Sequence, residues 1–169
     1  MKYKVINKQQ NSRMCLVCGL LNGLGLKAGF YELENGELVA LFTPMEEHQS
    51  YPERMHGGIS SAILDETIGR AIMATEKDFW GVTIELHVKY LKPVPLNEQL
   101  RVVGRITKNS RRIFEGTGEI ILSNGDVAVT AEGRYLKMAL DKIADFDNEK
   151  ELWQVTPMDD DPLEIALND

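Results

Sequence analysis

Apolar and polar positions recur along this chain with two different periods. The stretch GLGLKAGFYELENGELVALFTP, from Gly23 to Pro44, alternates with period two around Glu34-Asn35-Gly36-Glu37. Asn-Gly between alternating apolar residues is a strong hairpin signal, so two strands are predicted, with Pro44 ending the second. Residues 45–55 read as a polar loop holding His48, Tyr51 and Pro52. From about Gly58 to about Thr75 the period lengthens to that of a helix. Ile59, Ala62 and Ile63 lie on one side, while Leu64, Ile68, Ala71 and Ile72 cover much of another. A helix apolar nearly all round must be buried.

Period two then returns. WGVTIELHVKYLKPV sets Val82, Ile84, Leu86, Val88 and Tyr90 on one face and Thr83, Glu85, His87 and Lys89 on the other. EQLRVVGRITKNS follows, its alternation marked by Leu100, Val102 and Ile106. RIFEGTGEIILSNGD and VAVTAEGRYLKM come last, joined at the turn signal Asn124-Gly125. Pro93 and Pro95 bound the first of these strands. Beyond Met138, DFDNEKELWQV predicts a short helix capped by Asp147 or Asn148. The first dozen residues read as a flexible start and the last dozen as frayed and acidic. Two strands, one helix and three or four antiparallel strands imply an α+β fold, with one long central helix wrapped by a curled antiparallel sheet. The chain is long enough for one such domain, over residues 1–138, plus an acidic extension over 139–169.

Charge changes this picture in one respect. The net charge of −7 is concentrated in residues 139–169, which hold ten acids and two lysines. The remaining 138 residues carry 17 basic and 16 acidic groups. A balanced body with an acidic tail argues against nucleic acid as a partner, which wants a basic face. No run of about 18 apolar residues offers a membrane span, and the polar start has no signal-like apolar core, so a cytoplasmic protein without a membrane partner is expected. Cys15 and Cys18, in CLVCG, are the only cysteines. One pair cannot fill four zinc positions unaided, so two reduced, packed thiols and no metal are expected.

The candidate chemistry lies in MHGGISSAILDE, Met55 to Glu66. An ionised carboxylate on an apolar helix is costly unless it is hydrogen-bonded or faces a cleft, and burial raises its pKa. Asp65 stands between Leu64 and Ile68, with Glu66 about 100° away around the helix. Glycines at a helix start allow close approach to amides without intrahelical partners, a setting suited to an anion or oxyanion. Gly57 and Asp65 are roughly 12 Å apart along the axis. Both can serve one substrate only if Asp65 of one subunit meets Gly57 and Gly58 of another.

HGGISSAILDETIG, the strand GVTIELHVKYLKPVPLNEQLRVVGRI and the distal GDVAVTAEGRYL together resemble the hotdog-fold acyl-CoA thioesterases of the phenylacetate type, within the 4-hydroxybenzoyl-CoA thioesterase superfamily. The likeness covers about residues 12–138, and the early CLVCGLLNGLGL is similar to a subgroup of that family. It implies an acyl-CoA thioester hydrolase that needs no cofactor, CoA being part of the substrate. Asp65 would act as general base or nucleophile, with Glu66 as its competitor. Gly58 would offer its N–H to the thioester oxygen, Gly57 would shape the approach, and His56 would hold the loop. Thr83 would help place the water. Many members carry Asn or Gln before the motif, where HQSYPERM offers Gln49 or Ser50. A basic lip for the CoA phosphates would draw on Lys89, Lys92, Lys108, Arg111, Arg112 and Arg134. A homodimer or dimer of dimers is implied. The rival reading is a non-catalytic acyl-CoA binding module of the same fold; a dehydratase is a second. His48 and His87 are expected to be surface or packing residues.

Overall fold

In the computed structural model, which describes residues 1–145 and 147–167, eight strands form one open antiparallel sheet. The strands are β1 (Lys2–Lys8), β2 (Gly29–Leu33), β3 (Leu38–Phe42), β4 (Trp80–Tyr90), β5 (Leu100–Asn109), β6 (Ile113–Ile121), β7 (Val127–Met138) and β8 (Glu164–Ala166). Their spatial order is β4-β7-β6-β5-β3-β2-β1-β8. Helix α1 (Gly57–Arg70) packs on one face and continues as a 3-10 turn over Ala71–Ala74, a tighter end to the predicted helix. Ile63, Leu64, Ile68 and Ile72 are fully buried there against Phe30, Val102, Phe114 and Ile120. The β2–β3 hairpin turns as predicted at Asn35-Gly36, where Gly36 adopts φ 86°, a left-handed value that favours glycine.

Both ends of the chain differ from their sequence reading. The expected flexible start forms β1, which pairs with β2 on one side and β8 on the other. The last dozen residues supply β8, and Ile165 and Leu167 bury themselves with Tyr31, Leu33, Val39 and Val103 on the sheet face opposite α1. Apolar side chains spaced two apart at the end of an acidic segment give it an anchor. Lys8 and the Tyr31 hydroxyl bind Asp161, at 2.5 and 2.6 Å. The helix expected in DFDNEKELWQV does not form: residues 148–152 make a turn, in which Asp147 accepts the N–H groups of Glu149 and Lys150. A one-turn helix, α2 (Leu140–Ile143), precedes it. Phe146, Asn168 and Asp169, which fall in the expected extension, lie outside the described residues.

Two features bring β4 against α1. Gly81 lets the strand approach the helix closely: a Cβ there would meet the Gly69 carbonyl oxygen at 2.9 Å and Phe114 Cζ at 2.7 Å. The register with β7 then shifts between Thr83 and Glu85, which leaves Ile84 as a bulge, 52% exposed. An extra residue reverses the facing of all that follow. The single apolar face expected for Val82 through Tyr90 is therefore broken. Gly81 and Thr83 turn toward α1, and beyond the bulge Leu86, Val88 and Tyr90 do. Gly81→Ala should cost about 1–3 kcal/mol, read as a lower urea midpoint, because the new methyl meets helix backbone.

Candidate active site

Two groups of functional side chains lie at opposite ends of α1. At the first, Asp65 accepts hydrogen bonds from Thr83 Oγ1 at 2.9 and 3.1 Å and from the Tyr135 hydroxyl at 3.1 Å. Thr83 reaches it from β4, two residues beyond Gly81 on the face that meets the helix. Tyr135 reaches it from β7, its ring buried and stacked on Phe114 with centroids 5.0 Å apart. Burial pushes the Asp65 pKa above the ordinary carboxylate range, while the two hydroxyls pull it back and Glu66 adds to the rise. A cavity of about 200 Å³ opens beside this acid, lined by Gly69, Arg70, Met73, Trp80, Gly81 and Thr83 among others.

Glu66, the competing acid, is tied up in packing. Its carboxylate holds Arg70 Nε at 2.7 Å, and the Arg70 side chain is only 4% exposed. Arg70 also donates to the Gln10 carbonyl and lies over the rings of Phe30 and Trp153, 4.3 and 5.1 Å from their centroids. Trp153 in turn meets Trp80 at 4.7 Å, so the C-terminal extension closes over this end of the helix.

The second group surrounds the helix N-terminus. His56 is the N-cap, and its Nδ1 accepts the Gly58 N–H at 2.8 Å. Its carbonyl takes the N–H groups of Ile59 and Ser60. The Gly58 amide, expected to face a thioester oxygen, is therefore spent on His56. Gly57 is the first-turn amide that this cap does not use, and N–H groups there have no intrahelical partner. The Tyr90 hydroxyl donates to the Gly57 carbonyl at 3.0 Å and meets Ser61 Oγ at 2.7 Å. Tyr90 thus fixes the helix start. A cavity of about 380 Å³ lies here, with Ser50, Gly57, Ser60, Tyr90 and Lys92 in its wall.

The other predicted residues divide between these places. Ser50 lines the Gly57 cavity, whereas Gln49 turns back on its own loop and accepts the Glu53 N–H at 3.0 Å. Lys92 borders the same cavity and pairs with Asp126 at 2.7 Å. Lys89 is exposed on β4 and lines a separate cavity with His87, Thr130 and Glu132, and Arg111 and Arg112 sit in the exposed β5–β6 turn. Lys108 and Arg134 share Glu115, at 3.5 and 3.9 Å. Arg134 lines a cleft of about 300 Å³ on the outer sheet face with Glu85 and His87. The basic residues are thus dispersed within one protomer. His48 is a buried packing residue that joins the Met45 N–H to the Leu24 carbonyl. Tyr135 and Tyr90 were missed as site residues, since each reads as an ordinary apolar strand position and only their hydroxyl partners reveal them.

Known proteins resemble this chain in sequence and fold. Residues 53–129 match the thioesterase superfamily. Acyl-coenzyme A thioesterase 13 of Homo sapiens is 22% identical over 102 residues, which cover 60% of this chain and 72% of that one. A crystallised thioesterase superfamily protein is 30% identical with a TM-score of 0.67, over 73% of this chain and 63% of its own length. A hypothetical thioesterase from Streptococcus pneumoniae, crystallised with coenzyme A, shares the fold at 20% identity and a TM-score of 0.57, over 62% and 80%. The segment holding His56, Gly57, Gly58, Asp65 and Thr83 lies within the part of the chain that matches the thioesterase superfamily, the hotdog-fold family that its motifs resemble.

Proposed function

We propose that the protein hydrolyses acyl-CoA thioesters to a carboxylate and free CoA, with Asp65 as the acid–base group. The observation that carries this reading is a half-buried carboxylate held by two hydroxyls, on the same helix whose N-terminus leaves the Gly57 amide uncapped. Asp65 takes a proton from water as the water attacks the thioester carbonyl. The developing oxyanion is met by the Gly57 N–H. Collapse expels the CoA thiolate, which recovers the proton from Asp65. Direct attack by the carboxylate, through an anhydride, is the second route open to the same geometry. The relative crystallised with coenzyme A supports a CoA thioester as the substrate class.

The two halves meet across a dimer in this reading. Strand β4 is one open edge of the sheet, 11 residues long against three for β8 at the other edge, with Ile84 and Tyr90 each more than half exposed. An uncovered edge of that length is a template for pairing. Thr83 and Tyr90 both lie on β4, seven residues apart. If two β4 strands pair antiparallel about their middle, Thr83 and Asp65 of one protomer come opposite Tyr90 and Gly57 of its partner. Isologous pairing gives two sites per dimer.

Thiol release from aromatic, short and long acyl-CoAs is the test. Turnover of at least one class is expected, and tight binding without turnover across the panel would favour a binding module. A fully active monomer in sedimentation would overturn the shared site. Thr83→Val removes a hydroxyl that lowers the Asp65 pKa. The acidic limb of the kcat/KM profile should move to higher pH, with about a tenfold loss at neutral pH, the equivalent of one hydrogen bond to a charged group.

A further inference from the structure

Cys15 and Cys18 occupy a setting that the hydrolytic reading leaves unused. The segment from Cys15 to Gly19 makes one turn, closed by the Gly19 N–H on the Cys15 carbonyl at 2.9 Å. Residues three apart on such a turn are neighbours on one side. Both thiols are free, and their sulfurs lie within 4.8 Å of each other and of a Glu66 carboxylate oxygen. Arg70 Nη2 donates to Cys18 Sγ at 3.1 Å, and Ser12 Oγ is 3.3 Å from the same sulfur. The Val17 N–H donates to Cys15 Sγ at 3.4 Å. Cys18 is 1% exposed, whereas Cys15 is partly open to solvent.

This asymmetry assigns different chemistry to the two sulfurs. The Cys18 thiol donates to Cys15 and holds the Cys15 pKa down at about 6, against the opposing effect of burial. The same contact and burial push Cys18 up. An accessible thiolate beside a buried thiol suits attack by the first and resolution by the second. Two thiols and a carboxylate also have the donor types of a metal site. Here, however, the Arg70 guanidinium already lies against Cys18 and Glu66, and a dication would meet that charge at close range.

We propose that Cys15 and Cys18 are a reversible dithiol–disulfide pair that exchanges with low-molecular-weight disulfides. Cys15 thiolate attacks one sulfur of glutathione disulfide; that S–S bond breaks and one glutathione thiolate leaves. Cys18 gives its proton to the departing thiolate and attacks the Cys15 sulfur of the mixed disulfide, expelling the second glutathione. Two cysteine thiols become one disulfide, and one glutathione disulfide becomes two thiols. The pair shares Arg70 and Glu66 with the wall of the Asp65 cavity, so the exchange takes place one shell of side chains from that site.

The test uses the full chain in anaerobic glutathione buffers of rising oxidised-to-reduced ratio, followed by acid quench, alkylation and intact mass. Expected is a loss of two hydrogens together with both alkylation sites, fully reversed by reduction. Cys18→Ser should trap one glutathione on Cys15, and Cys15→Ser should stay unmodified. Alkylation of both wild-type thiols at every ratio would overturn the proposal. So would a stable glutathione adduct on the wild type, a disulfide between chains, or stoichiometric zinc binding that blocks the exchange.

Discussion

Asp65→Asn should lower kcat by roughly a thousandfold, the range expected when a positioned general base is removed, while acyl-CoA binding persists. The Asn carbonyl can still accept from Thr83 and Tyr135, so the site keeps its shape. Stability should move the other way. The Asp65 pKa is raised in the folded protein, chiefly by burial. Its contribution to stability is therefore most favourable below the ordinary aspartate pKa and is lost as pH rises through the folded value. At neutral pH the native protein bears a half-buried charge that Asn does not carry. The variant should melt at the same or a higher temperature than the wild type at neutral pH, and any advantage should vanish toward acid pH. Full activity in Asp65→Asn would remove this residue from the chemistry. Loss of activity with a large fall in Tm would show that the carboxylate holds the fold instead.

Arg70→Ala should destabilise the protein by about 3 kcal/mol, read as a lower urea midpoint with an unchanged slope. The guanidinium is buried and engages Glu66, the Gln10 carbonyl and Cys18 Sγ at once. Its removal leaves those partners unmatched and opens a void beneath Phe30 and Trp153. Glu66 is 28% exposed and can be partly rehydrated, which keeps the loss at the lower end of the range for a broken buried pair. Arg70→Lys should recover little of it, since one ammonium cannot reproduce a planar fork with three differently placed acceptors. Lys108→Ala, on a largely exposed side chain, should stay within about 0.5 kcal/mol of the wild type.

The local periods in the sequence were enough for the hairpin at Asn35-Gly36, the buried helix and the strand runs behind it, because each depends on residues close together in the chain. The His-Gly-Gly and Asp65 motif was legible for a similar reason: a helix fixes the distance between its own residues. At Asp147 the capping side chain was legible but the helix expected after it is only a turn. The ends of the chain were not legible. β1 and β8 are short polar-looking segments whose pairing depends on each other, across nearly the whole length of the chain, and no local pattern carries such a contact.

The site shows the same division more sharply. Sequence supplied Asp65 and Thr83 as candidates but placed Thr83 on the face opposite the apolar residues of its strand. The bulge at Ile84 brings Leu86, Val88 and Tyr90 to the same side as Thr83, toward the helix, and alternation read from sequence has no means of anticipating an extra residue in a ladder. Glu66 was a rival to Asp65 until a buried arginine four residues on claimed it. Gly58 was the expected donor until the His56 ring took its amide. Residue types and short spacings thus determined which groups are present on the helix. Which of them face a cavity, and which are consumed by a partner, was decided only by tertiary packing, because a hydrogen bond or ion pair depends on where two distant segments meet.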